Sequence, residues 1–380
     1  MRVAVVGAGV GGLAVDRALR ADGHEVVVLE EAPTVRASGG AVTLWPGSTS
    51  VLRGLGVDAA PLGRVLTRMQ RRSPDGRVLL ELDLAAAARA AGSAVVTAPR
   101  GRLVDALLAG VPGGGGLVRT GCACAGVADG PQGAAVVLAD GSRVVADVVV
   151  GADGARSAVR AALHADALLP TGGTTWQLPP SPTGTALDDG GTCVLLVGRS
   201  GMVGLNPCGD GRVQVWWDVR SAPRPGEAPA AMLERLFGSW PVPESRAALS
   251  LLGRAAAQLV PYPRGAYRVH RPWGRGRVTL LGDAAHAVPP SLAQGTNQAL
   301  ADAAALARAL RTPGARRDPA SALRAYERAA GRRAALVTGL SRREPTLRVV
   351  PEPLLRGVPD RAVAAVLDRW LRLSSDRAAA

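Results

Sequence analysis

A short apolar run, Arg2–Val6, passes without a linker into Gly7-Ala8-Gly9-Val10-Gly11-Gly12, and no other stretch restricts the fold so tightly. A strand apolar on both faces belongs inside a parallel sheet. The sequence beyond the glycines predicts a helix to about Ala21, with Val10, Leu13, Ala14, Ala18 and Leu19 on its buried stripe. Asp16, Arg17 and Arg20 are expected to face out. Asp22-Gly23 ends that helix, and His24–Leu29 reads as a second apolar strand closing on Glu30. In Gly-x-Gly-x-x-Gly the first glycine makes the tight turn, the second lets a pyrophosphate approach the backbone, and the third packs helix on strand. Glu30 stands 18 residues after Gly12, near the spacing of the acid that binds an adenosine ribose. The pattern is that of a dinucleotide site.

Two more segments repeat the strand, loop and helix order. In Arg277–Ala303 a buried strand (Val278, Leu280, Leu281) breaks at Gly282-Asp283. A Pro-rich turn follows, and Gln-Gly-Thr-Asn launches a long Ala/Leu helix from about Thr296. An Asp283 carboxylate can accept hydrogen bonds from a polyol. The free N–H groups and positive end of the Thr296 helix suit an electron-rich or anionic ligand atom. In Val148–Arg160 a strand ends in Gly151-Ala152-Asp153-Gly154, and a helix begins near Ser157.

Between these motifs, Arg36–Ala41 is a polar, Gly-rich, cofactor-facing loop. Residues 64–84 read as strands joined at Pro74-Asp75-Gly76, Arg100 precedes an amphipathic helix, and 121–150 reads as a β-meander. From 170 to 268 Pro and Gly rise, helical periodicity fades, and five of the seven Trp fall between Trp176 and Trp273. The expected organisation is a first part of a parallel α/β domain (1–169, with a small β excursion around 64–97). A β-rich lobe (170–268), the second part of the α/β domain (269–340) and a C-terminal helical segment (341–380) follow. That last segment includes a helix over Arg361–Leu373 docked by Val363, Val366, Leu367 and Trp370.

At 380 residues the chain has room for this arrangement. Its net charge of +14 raises nucleic acid or an anionic membrane as a partner. Every basic residue is Arg, however, and the chain has no Lys and no Ile, as a GC-rich genome produces. The arginines run no longer than two in a row, without interleaved aromatics, so a solvated surface is the better reading. The four cysteines form no Cys-x-x-Cys pair and the four His lie far apart, so no metal site is expected. Without a secretory signal or an apolar stretch of about 18 residues, a cytoplasmic protein with free thiols is expected.

Taken together, the three motifs resemble the class A FAD-dependent monooxygenases, the para-hydroxybenzoate hydroxylase-like family, from Met1 to about Arg333. The resemblance implies a Rossmann-like FAD-binding domain with an inserted antiparallel β-sheet substrate lobe and C-terminal helices. It implies that Gly7, Gly9 and Gly12 hold the FAD pyrophosphate, that Glu30 holds the ribose, and that Arg36 and Arg100 contact phosphate or ribityl oxygens. It further implies that Asp153 serves both FAD and NAD(P)H, and that Asp283, after Gly282, binds the ribityl chain. Pro290, Gly295, Thr296 and Asn297 fall where the family wraps the isoalloxazine edge. The chain departs from the family at Glu31, often Arg, at Ala293, often Gly, and at Ala301, often Glu. The implied reaction is reduction of FAD by NAD(P)H, addition of O₂ to give a C4a-hydroperoxyflavin, and transfer of one oxygen to an aromatic or unsaturated small molecule. Hydroxylation and epoxidation both fit, as a tailoring step in bacterial specialised metabolism. Gln177, Arg199, Gln214, Trp216 and Trp217 on the inserted sheet, with Pro290, are the substrate-pocket candidates, and no dedicated catalytic nucleophile is evident. A halogenase of related fold would use a Lys, which this chain lacks. A reductase or oxidase of the same fold is the alternative. The substrate, NADH against NADPH, and monomer against homodimer stay open.

Overall fold

A computed structural model describes residues 1–35, 39–109, 118–130, 133–164, 166–183, 190–267, 269, 272–342 and 365. Its centre is a parallel sheet in the order Val278–Leu280, Val148–Gly151, Arg2–Val6, Glu25–Leu29, Val118–Arg119. These strands are almost wholly apolar, because helices and the neighbouring meander cover both faces. Val6 pairs with Leu29 on one side and with Gly151 on the other, and Gly151 pairs with Leu280. The three motif loops therefore leave the sheet from one level of its carboxyl edge, where open α/β sheets bind ligands.

Helix Val10–Ala21 packs against helix Gly295–Leu310. A Cβ on Gly11 would fall 2.7 Å from Leu281 Cδ2 and 3.3 Å from the Ala299 Cβ, so a side chain there would force its neighbours to shift. Asp16 does not face solvent as its helical position suggested; it is 1% exposed and accepts a 2.6 Å hydrogen bond from Arg20 Nε. The meander Cys124–Gly130, Gly133–Leu138, Arg143–Ala146 flanks the parallel sheet, and Ala41–Leu44, Val96–Pro99 and Arg64–Val65 form a small antiparallel sheet.

The inserted lobe is built on an eight-stranded sheet. Its order is Val260–Ala266, Leu169–Gln177, Arg212–Val219, Gly201–Gly209, Thr192–Gly198, Arg68–Arg72, Val78–Asp83, with Ser181–Pro182 paired to Arg212–Val219. The middle of the excursion around 64–97 thus belongs to the lobe sheet: Arg68–Arg72 pairs in parallel with Thr192–Gly198, and Val78–Asp83 pairs with Arg68–Arg72. The lobe also contains two helices, Pro229–Phe237 and Pro243–Ala255, which the β-rich reading of 170–268 did not include. Their Met232, Leu233, Phe237, Leu251 and Leu252 pack on one face of the sheet together with Trp176, Val203, Val215 and Trp217. The opposite face looks toward the parallel sheet. Helix Pro319–Arg342 follows, and the helix expected over 361–373, residue 365 apart, lies outside the described residues, as does Arg36. No described helix is long and apolar enough to cross a membrane.

Candidate functional site

Between the carboxyl edge of the parallel sheet and the free face of the lobe sheet lies a cavity of about 1040 Å³. Pockets for a single small ligand run roughly 300–1,000 Å³, so this space lies at the upper end and has room for a large, extended ligand.

One end is the glycine turn. Gly7 has φ +102°, and a Cβ there would fall 2.6 Å from the Ala152 carbonyl oxygen. A Cβ on Gly12 would overlap the Gly7 carbonyl oxygen, so these two glycines are fixed by the turn itself. Gly9 differs: it lines the cavity, and a Cβ there would meet nothing within 4 Å. It precedes a helix with no side-chain cap, so the first-turn N–H groups face that space. Glu30 lies beside the turn rather than in the lining, its carboxylate accepting from Ala8 N (2.8 Å) and Ala32 N (3.0 Å).

The middle is formed by the Gly-Asp segment. Gly282 has φ +59°, and Asp283 opens the short helix Asp283–His286 with its carboxylate toward the cavity. Asp283 is exposed to the cavity it lines yet enclosed by surrounding protein, and that desolvation raises its pKa while His286 and Arg100 oppose the rise. A Cβ on Gly295 would lie 3.6 Å from Asp283 Oδ1, which puts the carboxylate beside the uncapped start of helix Gly295–Leu310. Gly295, Thr296, Pro290, Gly282 and Arg100 all line the cavity. Ala293, standing where the family often has Gly, has φ +50°, a left-handed conformation that costs a side chain about 1–2 kcal/mol.

An acid raised in pKa by folding lowers stability once pH exceeds its unfolded pKa of about 3.9. Asp283→Asn removes that burden. The variant is expected to raise the apo-protein midpoint at pH 7 by about 2 °C and to weaken FAD binding about tenfold. Below about pH 4, where both proteins carry a neutral group, the stability difference should vanish. Thermal scans of apo protein across pH, beside FAD titrations, check both halves.

Two of the expected ligand-binding residues make hydrogen bonds within the protein. Asn297 is fully buried: its Oδ1 accepts from Trp45 N (2.9 Å), and its Nδ2 donates to Thr43 O (2.8 Å) and Ala293 O (2.6 Å). It ties the helix start to strand Ala41–Leu44 instead of reaching a ligand. Asp153 accepts from Ser157 Oγ (2.5 Å) and Val159 N (3.2 Å), capping the helix that follows, and its burial raises its pKa. Its neighbours Ala152, Gly154 and Ala155 form the lining instead.

Two buried hubs join the motifs, and neither is visible in the sequence. Asp302, fully buried, accepts from Gly282 N (3.1 Å), His286 Nε2 (2.6 Å) and Arg333 Nη2 (2.6 Å). Burial alone would raise its pKa, but His286, Arg333 and these hydrogen bonds outweigh burial and hold it low. Arg160, 1% exposed, pairs with Asp166 and donates to the Ala284 and Ala285 carbonyls at 3.0 and 2.9 Å. It thereby binds the Asp153 loop to the Asp283 helix. The i to i+3 or i+4 spacing that would flag such pairs is absent, since the partners come from different elements.

The far wall is the lobe sheet, and period-two alternation decides its residues. Trp216, Gln214 and Gln177 face the cavity. Trp217, one residue on, is fully buried against the lobe helices and is not a pocket residue. Arg199 is not one either: it is exposed in the turn between Thr192–Gly198 and Gly201–Gly209. Gln214 Oε1 accepts from Ala41 N (2.7 Å) and its Nε2 donates to Leu178 O (2.7 Å), so it pins the Gly39–Ala41 loop to the lobe. Leu195 and Met202 also line this wall, and so do Met69 and Arg71, whose strand joins the sheet only in three dimensions.

An open glycine cradle, uncapped helix starts and a carboxylate beside them fit the pyrophosphate, ribityl and ring of FAD. Among the described residues no cluster of His, Cys, Asp and Glu is placed to hold a metal ion. The family described as FAD binding domain matches residues 1–341. The aurachin C monooxygenase/isomerase of Stigmatella aurantiaca is 32% identical over 82% of this chain and 80% of its own. The 3-amino-4-hydroxybenzoate 2-monooxygenase of Streptomyces platensis is 35% identical over 86% and 83%. A Klebsiella pneumoniae protein crystallised with FAD and uric acid superimposes with a TM-score of 0.82 at 26% identity, over 98% of this chain and 93% of that one. With a glycine turn, an acid and a helix start meeting at one cavity, and with relatives of this kind along most of its length, the chain belongs to the FAD binding domain family, in its class A flavoprotein monooxygenase group.

Proposed function

We infer that the protein is a FAD-dependent, NAD(P)H-using monooxygenase acting on an aromatic or otherwise unsaturated small molecule. The observation that carries this reading is one continuous cavity, running from the Gly9 turn past Asp283 and Thr296 to the Trp216 wall. Bound FAD would supply the redox chemistry, with NAD(P)H as hydride donor and O₂ as the source of one oxygen atom for the substrate and one for water. The protein's residues bind, orient and exclude water. Backbone N–H groups after Gly9 hold the pyrophosphate, and Asp283 accepts from ribityl hydroxyls. The start of helix Gly295–Leu310 offers positive potential where reduced flavin gathers negative charge. Leu195, Met202 and Trp216 keep the substrate end apolar and dry. The oxygen-transferring relatives favour this reading over a reductase or oxidase, and their names fit a tailoring step in specialised metabolism.

The test is the visible spectrum of purified protein, followed by NAD(P)H consumption and H₂O₂ release in air. Bound oxidised flavin and NAD(P)H oxidation that quickens with an added aromatic are expected. A bound flavin that NAD(P)H does not reduce would turn the reading to the oxidase or reductase, and no flavin even after incubation with FAD would overturn it.

A further inference from the structure

Among the described residues, two charged side chains of the lobe wall line the cavity, and both are engaged within the protein. Asp218 pairs with Arg264 at 3.1 Å and accepts from Thr175 Oγ1 at 2.5 Å, and Arg71 has a protein partner of its own. Gln214 is held by Ala41 N and Leu178 O. Gln177 differs. It lines the cavity half-buried, and its amide has no hydrogen-bond partner among the described residues.

Gln177 stands opposite Trp216 in the register, one strand spacing of about 5 Å away. Trp216 in turn pairs with Gly204, where a Cβ would overlap the six-membered indole ring, so the indole lies across that glycine. Leu195 comes next in register. The row is therefore an aromatic surface with an amide at one end and a leucine at the other. A Cβ on Gly40 would fall 2.8 Å from Gln177 Oε1, which sets the amide beside the loop that Gln214 pins. A primary amide offers two donors and an acceptor. It matches, by two hydrogen bonds, a ring edge that carries an N–H beside a C=O, and leaving it unpaired against a dry ligand is costly. An anion laid on this wall would meet no unengaged cation among the described residues and would lose its hydration without compensation.

Resting on the monooxygenase reading above, we propose that Gln177 and Trp216 determine specificity for an uncharged cyclic amide: a planar ring laid on the Trp216 indole, with adjacent N–H and C=O groups paired to the Gln177 amide. That pairing fixes the rotation of the ring on the indole, and so which of its carbons receives oxygen.

The test is equilibrium binding to the FAD-loaded protein without NAD(P)H, read by titration calorimetry. Two probe sets are used: 2-pyridone, N-methyl-2-pyridone and pyridine-2-carboxylate, then 2-quinolone, N-methyl-2-quinolone and quinoline-2-carboxylate. In at least one set the cyclic amide should bind about tenfold or more tighter than both companions. Gln177→Leu should weaken the cyclic amide to the level of its N-methyl derivative and leave that derivative within about twofold. A preference that came only from the bulk of the methyl group would survive this change. Trp216→Leu should weaken cyclic amide and N-methyl derivative alike, by about tenfold. Arg199→Gln, in the exposed turn, should change neither. If Gln177→Leu does not retain FAD, Gln177→Met, of similar length, makes the same comparison. Cyclic amides that bind no better than their companions in both sets, or a preference that survives loss of the Gln177 amide, overturn the proposal. Because nothing turns over, binding through Gln177 without later oxygen transfer would count against the monooxygenase reading and not against this one.

Discussion

Gly9→Val is expected to leave the apo protein folded and to remove most of its affinity for FAD. Gly9 has φ −74° and ψ 178°, which any residue adopts, and a Cβ there meets no atom within 4 Å. The isopropyl group instead occupies the cavity in front of the helix start and keeps a pyrophosphate away from the backbone N–H groups. Hydrogen bonds to a charged group contribute about 1.5–3 kcal/mol each. Losing two weakens binding by about 100-fold or more, at 1.4 kcal/mol per factor of ten. Ligand-linked stabilisation gives the readout: FAD should raise the melting temperature of wild type and leave that of the variant unmoved. Gly12→Val is the contrast, because its side chain would overlap the Gly7 carbonyl and should cost the fold itself. A Gly9→Val protein that binds FAD normally would remove the glycine turn from the cofactor site.

Asp302→Ala should destabilise the protein by about 3–5 kcal/mol, the usual cost of removing one partner from a buried charged network. The change strands Arg333, His286 and the Gly282 N–H at once, and it loosens the turn that presents Asp283. The sign of the pH dependence follows from the low pKa of Asp302 in the folded state. Its contribution is complete above the unfolded value of about 3.9 and is lost as pH falls through the folded one. Urea unfolding should therefore show a constant gap between wild type and variant from pH 8 to pH 5, narrowing only below about pH 4. Asp302→Asn, which keeps an acceptor, should fall between them. A gap under 1 kcal/mol at pH 7 would mean that the hub does not hold the motif.

The parts of this protein set by short-range chemistry are legible in the sequence alone. Apolar strands ending at Gly7, Gly151 and Gly282, each followed by a helix start, follow from hydrophobic period and glycine geometry within about twenty residues. They suffice for the parallel domain, the cavity end around Gly9 and Asp283, and the family. Tertiary structure decided everything that depends on pairing between distant segments. Arg68–Arg72 joins a strand more than a hundred residues away, which carries Met69 and Arg71 onto the cavity wall. One residue of register sends Trp216 into the cavity and Trp217 into the core. Asp153 and Asn297 sit in motifs whose pattern marks them as ligands, yet their side chains satisfy nearby backbone. Glycine turns and helix starts depend on backbone conformation, which local sequence encodes. The destination of a polar side chain depends on which groups packing brings within about 3 Å, and only the folded chain settles that.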